Sequence, residues 1–445
     1  MHKTIKKVRV ECEDLMVGMF VCELDRPWLD SPFLLQGFYI KDDEDIDTVR
    51  DICDYVFVDK AVERNVVSSN LPTASSALLL SRSVSKPAKA KTRLSRAADE
   101  QVKRKPADSL QGIKDFFPGK ALTRYTDSAS WREESRVARK VIPELYDIIA
   151  RVMLASMDAA PLDMEKLKRA VEPMVASVIR NPDACLWSTV MKPPADMNYD
   201  SALRATVYAV VLGRQLGLPK QDLRSLAIGG LLFDIGKLRL DDKILYAERR
   251  LTSQEMAIMQ RHVEVAMQIL KRAGITDPDI IDFVAHHHER LDGSGYPQGL
   301  AGDLIPPFGR IAGLVDCYNA ITGSRKYASS RSPAEAINQL YKLKDVHFHA
   351  DLIDEFIQAI GVYPVGALVE LSSGEVAIVV AQSRSRRLRP MIAVLLDRDK
   401  NRVAESRYIK LEEVTHSDDG RKLDIVKNLE PNAYGMDLLR LKLKH

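Results

Sequence analysis

Residues 286–297 read HHHERLDGSGYP, and the interpretation of the whole chain starts from this stretch. Three of the nine histidines stand side by side at the predicted end of a helix, and a loop rich in glycine and proline follows directly. Neighbouring helical residues point about 100° apart, so adjacent imidazoles converge most easily where a helix ends and the chain bends away. Glycines in the loop permit close approach of its backbone. The pattern fits a metal or phosphate site, or a surface histidine run that caps a helix C-terminus.

Two carboxylates and one further histidine lie in apolar surroundings elsewhere. Asp234 follows the apolar residues 231–233 and precedes a glycine and Lys237, where a buried helix is expected to end. Asp316 directly follows an apolar run, and burial of a carboxylate without a cation is costly. His262 lies on an otherwise amphipathic segment, where a histidine with a purely structural role is the simpler interpretation.

Outward from these residues the pattern is helical. A period of 3.6 residues predicts helices at 131–157, 163–180, 200–217, 222–236, 253–273, 277–289, 308–323, 333–343 and 350–360. After Gly361 the pattern becomes typical of strands, at 367–371, 376–380 and 391–396. The predicted fold is an all-α helical bundle with a small C-terminal β appendage.

The N-terminal 65 residues have a different pattern. Strands predicted at 7–10, 16–21, 34–40 and 55–58, with a short helix at 45–52, make a small α+β module. Between Arg82 and Lys105 nine basic residues stand against two acidic ones without interleaved aromatics, which favours a solvated tether over a nucleic-acid or lipid contact. The predicted organisation is an N-terminal module at 1–65, a flexible basic linker at 66–126, a helical domain at 127–362, a β appendage at 363–427 and a loosely ordered tail at 428–445.

The composition excludes several classes of protein. With 46% hydrophobic and 29% charged residues, the chain is neither fibrous nor wholly disordered. Its 445 residues suffice for roughly two to four folded units. A net charge of +3 gives no strong field for steering onto nucleic acid or lipid. The five cysteines include no CxxC pair, so neither a disulfide framework nor a thiolate zinc site is encoded. Without a signal peptide or an apolar run of about 18 residues, we expect a cytoplasmic protein.

Several separated motifs together resemble the HD-GYP domain, a subgroup of the HD phosphohydrolases that bacteria use to degrade cyclic di-GMP. They are Asp234-Ile235-Gly236-Lys237, then Leu251-Thr252-Ser253-Gln254-Glu255 followed by His262, then His287-His288-Glu289 leading into Asp292-Gly293-Ser294-Gly295-Tyr296-Pro297, and finally Asp316 followed by Thr322, Arg325 and Tyr327. The resemblance extends from about Arg132 to Asp397. A module similar to residues 1–65 often precedes such domains.

The resemblance implies a helical bundle that holds two or three metal ions, usually iron or manganese, which activate a water to attack a phosphodiester. Asp234 would bridge two of the metals, and His262, His287 and His288 would hold one of them. Asp316 would belong mainly to the other metal.

The resemblance also implies roles around the substrate. Lys237 and Arg325 would face the substrate phosphate, and Gly295, Tyr296 and Pro297 would shape the loop that borders the pocket. Asp234 and Lys237 are therefore the predicted catalytic residues.

The sequence departs from the family at one of the metals. Phe233 stands where a ligand histidine normally precedes the aspartate. Ser201 stands where a second ligand histidine is normally found, on the helix ending at 216–218. The acidic residue that supports a third metal is Met197. Asp200 lies about 100° round the helix from the lost ligand and could help only if that helix rotates. The affected metal keeps two carboxylates, whereas the other keeps one carboxylate and three imidazoles, a full mononuclear set.

Three functions follow as hypotheses. The leading one is a divergent signalling protein that binds cyclic di-GMP at a site with one divalent ion, iron or manganese, and hydrolyses it weakly or not at all. The first alternative is an active cyclic di-GMP phosphodiesterase, in which Asp200, Ser201 or a water completes the second site. The second is a scaffold for protein partners such as diguanylate cyclases (GGDEF proteins). A homodimer is compatible with the sequence, and we expect no specific nucleic acid and no transmembrane segment.

Overall fold

The computed structural model describes residues 4–17, 19–25, 38–40, 43–62, 115–157, 162–193, 195–323, 332–384, 386–414, 416 and 422–436. Most of the predicted basic linker lies outside these residues. The chain divides into two compact units, residues 1–111 and 112–445. Among the described helices, none combines the length and apolar character needed to cross a membrane.

The N-terminal unit is a four-stranded antiparallel sheet with one helix. Its elements are β1 (Thr4–Glu11), β2 (Phe20–Leu24), β3 (Phe38–Tyr39), α1 (Asp43–Arg50) and β4 (Tyr55–Val62), with the strands in the order β1-β4-β2-β3. β1 and β4 pair along their whole length, so the short apolar runs at the two ends of the module form one ladder. Val21, Val49 and Val56 are fully buried in its core. The mixture of strands and one helix is as predicted, but β2 begins at Phe20 rather than at 16, and residues 34–37 of the predicted third strand lie outside the described residues.

The second unit is built around a helical bundle. Its helices are α2 (Trp131–Met157), α3 (Met164–Arg180), α4 (Pro182–Val190), α5 (Met197–Gln215), α6 (Lys220–Leu232), α7 (Asp242–Leu245), α8 (Ser253–Gln260), α9 (His262–Arg272), α10 (Pro278–His286), α11 (Pro307–Thr322), α12 (Pro333–Lys342) and α13 (Ala350–Ile360).

Two of the predicted helices end too late, since α6 ends at Leu232 rather than 236 and α10 ends at His286 rather than 289. The other predicted helices agree with this bundle except at three places. The segment at 253–273 is two helices, α8 and α9, that break at Arg261. The helix α4 was not predicted because seven of its nine residues are buried, and a helix buried on most sides has no amphipathic period. The four-residue helix α7 is too short to show a period.

The predicted linker extends too far toward the helical domain. Residues 115–126, which we name the strap, pack on the bundle: Phe117 is 4% exposed and lies in the same apolar core as the helices. The strap carries only isolated aromatic anchors, so it shows none of the periodicity from which packed segments are predicted.

A five-stranded antiparallel sheet follows the helices. It consists of β5 (Leu368–Leu371), β6 (Val376–Ala381), β7 (Met391–Leu396), β8 (Tyr408–Lys410) and β9 (Ile425–Leu429), in the order β8-β7-β6-β5-β9. The predicted tail therefore begins too early, because β9 pairs with β5 across position 428 and Met436 is buried. Arg384 joins the sheet to the bundle through Asp127 and Asp183.

Candidate metal centre

Four predicted ligands converge at the ends of three helices. Asp234 follows α6, His262 begins α9, and His287 and His288 follow α10. One ligand atom from each of these residues lies within 4.8 Å of the others. Asp316, on α11, lies beside the group, with Oδ2 3.6 Å from Nδ1 of His288. The structure thus brings together all five residues predicted to bind metal.

Gly236 allows two of these elements to approach closely. A Cβ atom at this position would lie 1.9 Å from the carbonyl oxygen of His262. The 3-10 helix Ile235–Arg239, which continues directly from Asp234, can therefore lie against the first turn of α9 only with glycine here. The glycine in the Asp234-Ile235-Gly236-Lys237 motif sets the spacing between the carboxylate and the histidine.

The two deeply buried histidines present lone pairs to each other. Nδ1 of His262 donates to the carbonyl of Met259 at 2.7 Å, and Nδ1 of His287 donates to the carbonyl of Val284 at 2.8 Å. Because a carbonyl only accepts, each ring carries its proton on Nδ1 and leaves Nε2 as an acceptor. The two Nε2 atoms are nevertheless 3.2 Å apart. Two acceptors at that distance repel each other unless a cation lies between them.

Asp234 supplies a third electron pair to the same point. Its Oδ2 accepts from Nζ of Lys237 at 2.6 Å, whereas its Oδ1 is buried and has no hydrogen-bond partner. Oδ1 lies 3.4 Å from Nε2 of His262 and 3.8 Å from Nε2 of His287. Although burial opposes ionisation, the adjacent Lys237 ammonium holds the pKa of Asp234 below its usual value. The carboxylate is therefore charged at neutral pH.

Protonation of the imidazoles does not account for the short distance between the two Nε2 atoms. Burial lowers the pKa of His287 to about 3. Burial also lowers the pKa of His262 and of His288. All three rings are therefore neutral at physiological pH, which is the form that binds metal.

These observations fit a divalent metal ion bound by Asp234, His262, His287 and His288. Two nitrogens about 2.1 Å from one ion lie about 3.0 to 3.4 Å apart in octahedral or tetrahedral geometry. The observed 3.2 Å between the Nε2 atoms falls within this range. Imidazole and carboxylate ligands suit first-row transition metals, which include iron and manganese.

The loop after the histidines packs directly on them. The Tyr296 ring stacks on His288 with centroids 4.4 Å apart, and a Cβ at Gly295 would lie 2.4 Å from the His288 carbonyl oxygen. Glu289, which is 3% exposed, accepts from the backbone N–H groups of Gln298 and Leu300. The loop is thus held on both sides, with Pro297 between these contacts.

Glu289 was not assigned a role from the sequence, although it lies in the quoted motif. Its burial depends on a loop that folds back nine to eleven residues later, and spacing along the chain does not show this. Lys237 is placed against Asp234, as described above. Arg325, predicted to face the substrate, lies outside the described residues.

The two positions at which the family resemblance implies ligand histidines hold Phe233 and Ser201. Phe233 is 1% exposed and contacts the His287 ring edge-on, with centroids 5.0 Å apart. Oγ of Ser201 accepts from Nδ2 of Asn319 at 2.8 Å. Asp200 points elsewhere, since Lys192 and the backbone N–H of Ala195 occupy its two oxygens.

The metal-free protein is expected to lose stability as the pH falls. The unfolded chain gains a proton on His287 below its ordinary pKa of about 6.5, whereas the folded chain gains it only near 3. Between these values the free energy of unfolding falls by up to about 1.4 kcal/mol per pH unit for such a histidine. Urea unfolding with a chelator, from about pH 7.5 to about pH 5, measures this slope. His287→Gln is the control, and an equal slope in both proteins would contradict the prediction.

Comparison with known families divides the chain into three regions. Residues 189–352 match the family described as HD domain, which contains the whole candidate centre. Residues 7–178 match a domain of unknown function (DUF3391), and residues 368–434 match a KOW domain associated with HD domains.

The chain is also similar to individual proteins that have been named. The chain is 29% identical over 387 residues to cyclic di-GMP phosphodiesterase PA4108 of Pseudomonas aeruginosa, covering 87% of this chain and 84% of the relative. It is 33% identical over 156 residues to 3'3'-cGAMP-specific phosphodiesterase 2 of Vibrio cholerae, covering 35% of this chain and 30% of that protein. A solved HDG"Y"P protein of Bdellovibrio bacteriovorus is 13% identical, with 79% of this chain and 98% of that chain covered and a TM-score of 0.40.

Proposed function

We propose that this chain, which is similar to HD-GYP proteins and matches the HD domain at residues 189–352, binds cyclic di-GMP at a one-metal centre and hydrolyses it weakly or not at all. The observation that carries this proposal is the occupation of the second metal's ligand positions by the buried Phe233 ring and by Ser201, whose hydroxyl accepts a hydrogen bond from Asn319.

Four candidate ligands surround the first metal position. Asp234, His262, His287 and His288 would hold the ion, and the carbonyls of Met259 and Val284 fix the tautomers of two of the rings. A bound divalent ion would attract a phosphate oxygen and acidify a water. Lys237 neutralises part of the Asp234 charge and, at 22% exposure, keeps its ammonium accessible to an anionic ligand.

The second metal position would keep two carboxylates but neither of the expected imidazoles. Asp234 and Asp316 are the carboxylates that remain for it, and Asp316 lies beside His288. A phenyl ring at 233 offers no electron pair and also removes a hydrogen-bonding group that could order neighbouring ligands. Without a second cation, the developing negative charge of a phosphate displacement is stabilised less, and the loss amounts to several kcal/mol of barrier.

Two alternatives remain distinct from this proposal. An active phosphodiesterase is favoured by the name of the Pseudomonas relative, of which this chain covers 84%. The name of the Vibrio relative makes 3'3'-cGAMP a second ligand to test. A pure protein scaffold is disfavoured, because a scaffold does not need three neutral imidazoles around a buried carboxylate. The predicted cytoplasmic location, homodimer and diguanylate cyclase partners stay predictions.

The test is a parallel measurement of metal content, binding and product. Protein reconstituted with Mn²⁺ without oxygen is expected to hold one ion per chain and to bind cyclic di-GMP in calorimetry. Chromatography should show linear product at a rate at least about 100-fold below that of the Pseudomonas relative. GTP serves as the control for unspecific nucleotide binding. Two ions per chain with rapid product would replace the proposal by the active enzyme.

A further inference from the structure

A single lysine of the strap joins the far ends of two helices that lead to the metal centre. Nζ of Lys120 lies 2.6 Å from Oδ2 of Asp279 and 3.1 Å from Oδ2 of Asp222. Asp222 is in the first turn of α6, and Asp279 is in the first turn of α10. Although burial opposes the charge of Lys120, its hydrogen bond to Asp279 and its ion pair with Asp222 raise its pKa. The lysine therefore holds the two helix starts together as a cation.

The opposite ends of these helices carry the ligands. Asp234 follows α6 after Phe233, and His287 and His288 follow α10. Between the two ends the helices touch where a Cβ at Gly229 would lie 2.7 Å from the Phe283 ring. At 1.5 Å per residue, this contact is about 10 Å from Asp222 and about 6 Å from both Asp279 and His287. If α6 and α10 pivot about this contact, a change in the distance between them at one end produces a comparable change in that distance at the other end.

The rest of the strap reaches a third helix that carries a predicted ligand. The buried Phe117 ring meets Phe308 edge-on, with centroids 6.4 Å apart, at the start of the helix α11 that carries Asp316. The strap is also fixed to the α5–α6 turn, because Tyr125 donates its hydroxyl to the carbonyl of Leu218 at 2.9 Å. The strap therefore contacts the starts of all three helices whose later residues line the site.

We propose that Lys120 is a positioning residue for the metal centre, and that the strap sets the spacing of Asp234 against His287 and His288 through α6 and α10. The proposal rests on the proposed metal centre but not on its ligand or on turnover. A displacement of about 0.5 Å is sufficient to impair a metal or catalytic site. A slight movement of α6 relative to α10 would therefore be enough.

The experiment measures Mn²⁺ binding to the full chain by electron paramagnetic resonance. In Lys120→Met, where two carboxylates lose their cation, we expect the affinity for Mn²⁺ to fall about 10-fold and the spectrum of the bound ion to change. Lys120→Arg can still reach both carboxylates and should restore the affinity to within about threefold. The matched control is Lys400→Met, because Lys400 pairs with Glu370 in the C-terminal sheet at a similar exposure, 27% against 30% for Lys120.

The outcomes separate this proposal from the proposed function. If Lys120→Met lowers the urea midpoint but leaves the affinity and the spectrum as in the wild type, the strap is ordinary packing and the proposal is overturned. Should that variant not fold, Asp279→Asn removes one arm of the bridge and is expected to lower the affinity about threefold. Wild-type protein that binds Mn²⁺ but no cyclic di-GMP would refute the proposed function and leave the positioning role intact.

Discussion

Replacement of His287 by alanine is expected to lower the affinity for Mn²⁺ at least about 100-fold and to abolish metal-dependent binding of cyclic di-GMP. Its ring is fully buried, and its Nε2 lies 3.2 Å from the partner atom of His262. Changes to residues that only hold a metal ligand in place already cost about 10- to 100-fold in affinity. Loss of a ligand itself should cost at least as much. Equilibrium dialysis against Mn²⁺ and calorimetry with cyclic di-GMP measure both effects.

His286→Ala is the matched control, because it makes the same substitution one residue earlier. The His286 ring is also buried, but its Nδ1 faces the carbonyl of Asp282 rather than the candidate centre. Its Cβ, which packs on Gly309, is retained in alanine. We expect its Mn²⁺ affinity to stay within about threefold of the wild type. If His287→Ala bound Mn²⁺ as tightly as the wild type, the facing Nε2 lone pairs would need another explanation, and the assignment of a metal centre would be wrong.

The positions of the site could be predicted from the sequence, whereas its electrostatics could not. The five residues predicted to bind metal came from motifs that lie together in the folded protein. The facing Nε2 atoms depend on hydrogen bonds from Nδ1 to two backbone carbonyls, and the orphaned Oδ1 of Asp234 depends on where Lys237 points. These features follow from helix ends and rotamers, which residue spacing does not specify.

The same limit applies to the fold. Long amphipathic helices such as α2 and α3 agree with their predictions within one residue. The strap and the helix α4 were missed for opposite reasons: the strap has too few apolar residues to show a period, and α4 is buried on too many sides to show one. Both segments contribute to packing around the bundle. The strap, which we propose positions the metal centre, is therefore among the segments that were hardest to predict.

Placing histidines at the two positions where the family resemblance implies them, in Ser201→His/Phe233→His, is expected to raise cyclic di-GMP hydrolysis about 100-fold or more and to add a second Mn²⁺ per chain. Position 233 already contacts the His287 ring, with centroids 5.0 Å apart. Position 201 hydrogen-bonds to Asn319, one helical turn beyond Asp316. A second cation lowers the barrier of a phosphate displacement by several kcal/mol, and each 1.4 kcal/mol or so is a factor of ten in rate. Product chromatography and metal analysis of the same samples measure both changes.

The stability of the double variant gives a second, independent result. An imidazole in the apolar site of Phe233, between His287 and Phe283, leaves a buried polar ring that lowers the free energy of unfolding without metal. Binding of the second ion to the folded state alone should recover that loss, so Mn²⁺ should raise the urea midpoint more in the variant than in the wild type. Addition of Asp316→Ala should remove this extra gain together with the hydrolysis. A double variant that holds one ion and forms no product would show that helix spacing, and not the missing histidines, limits this centre.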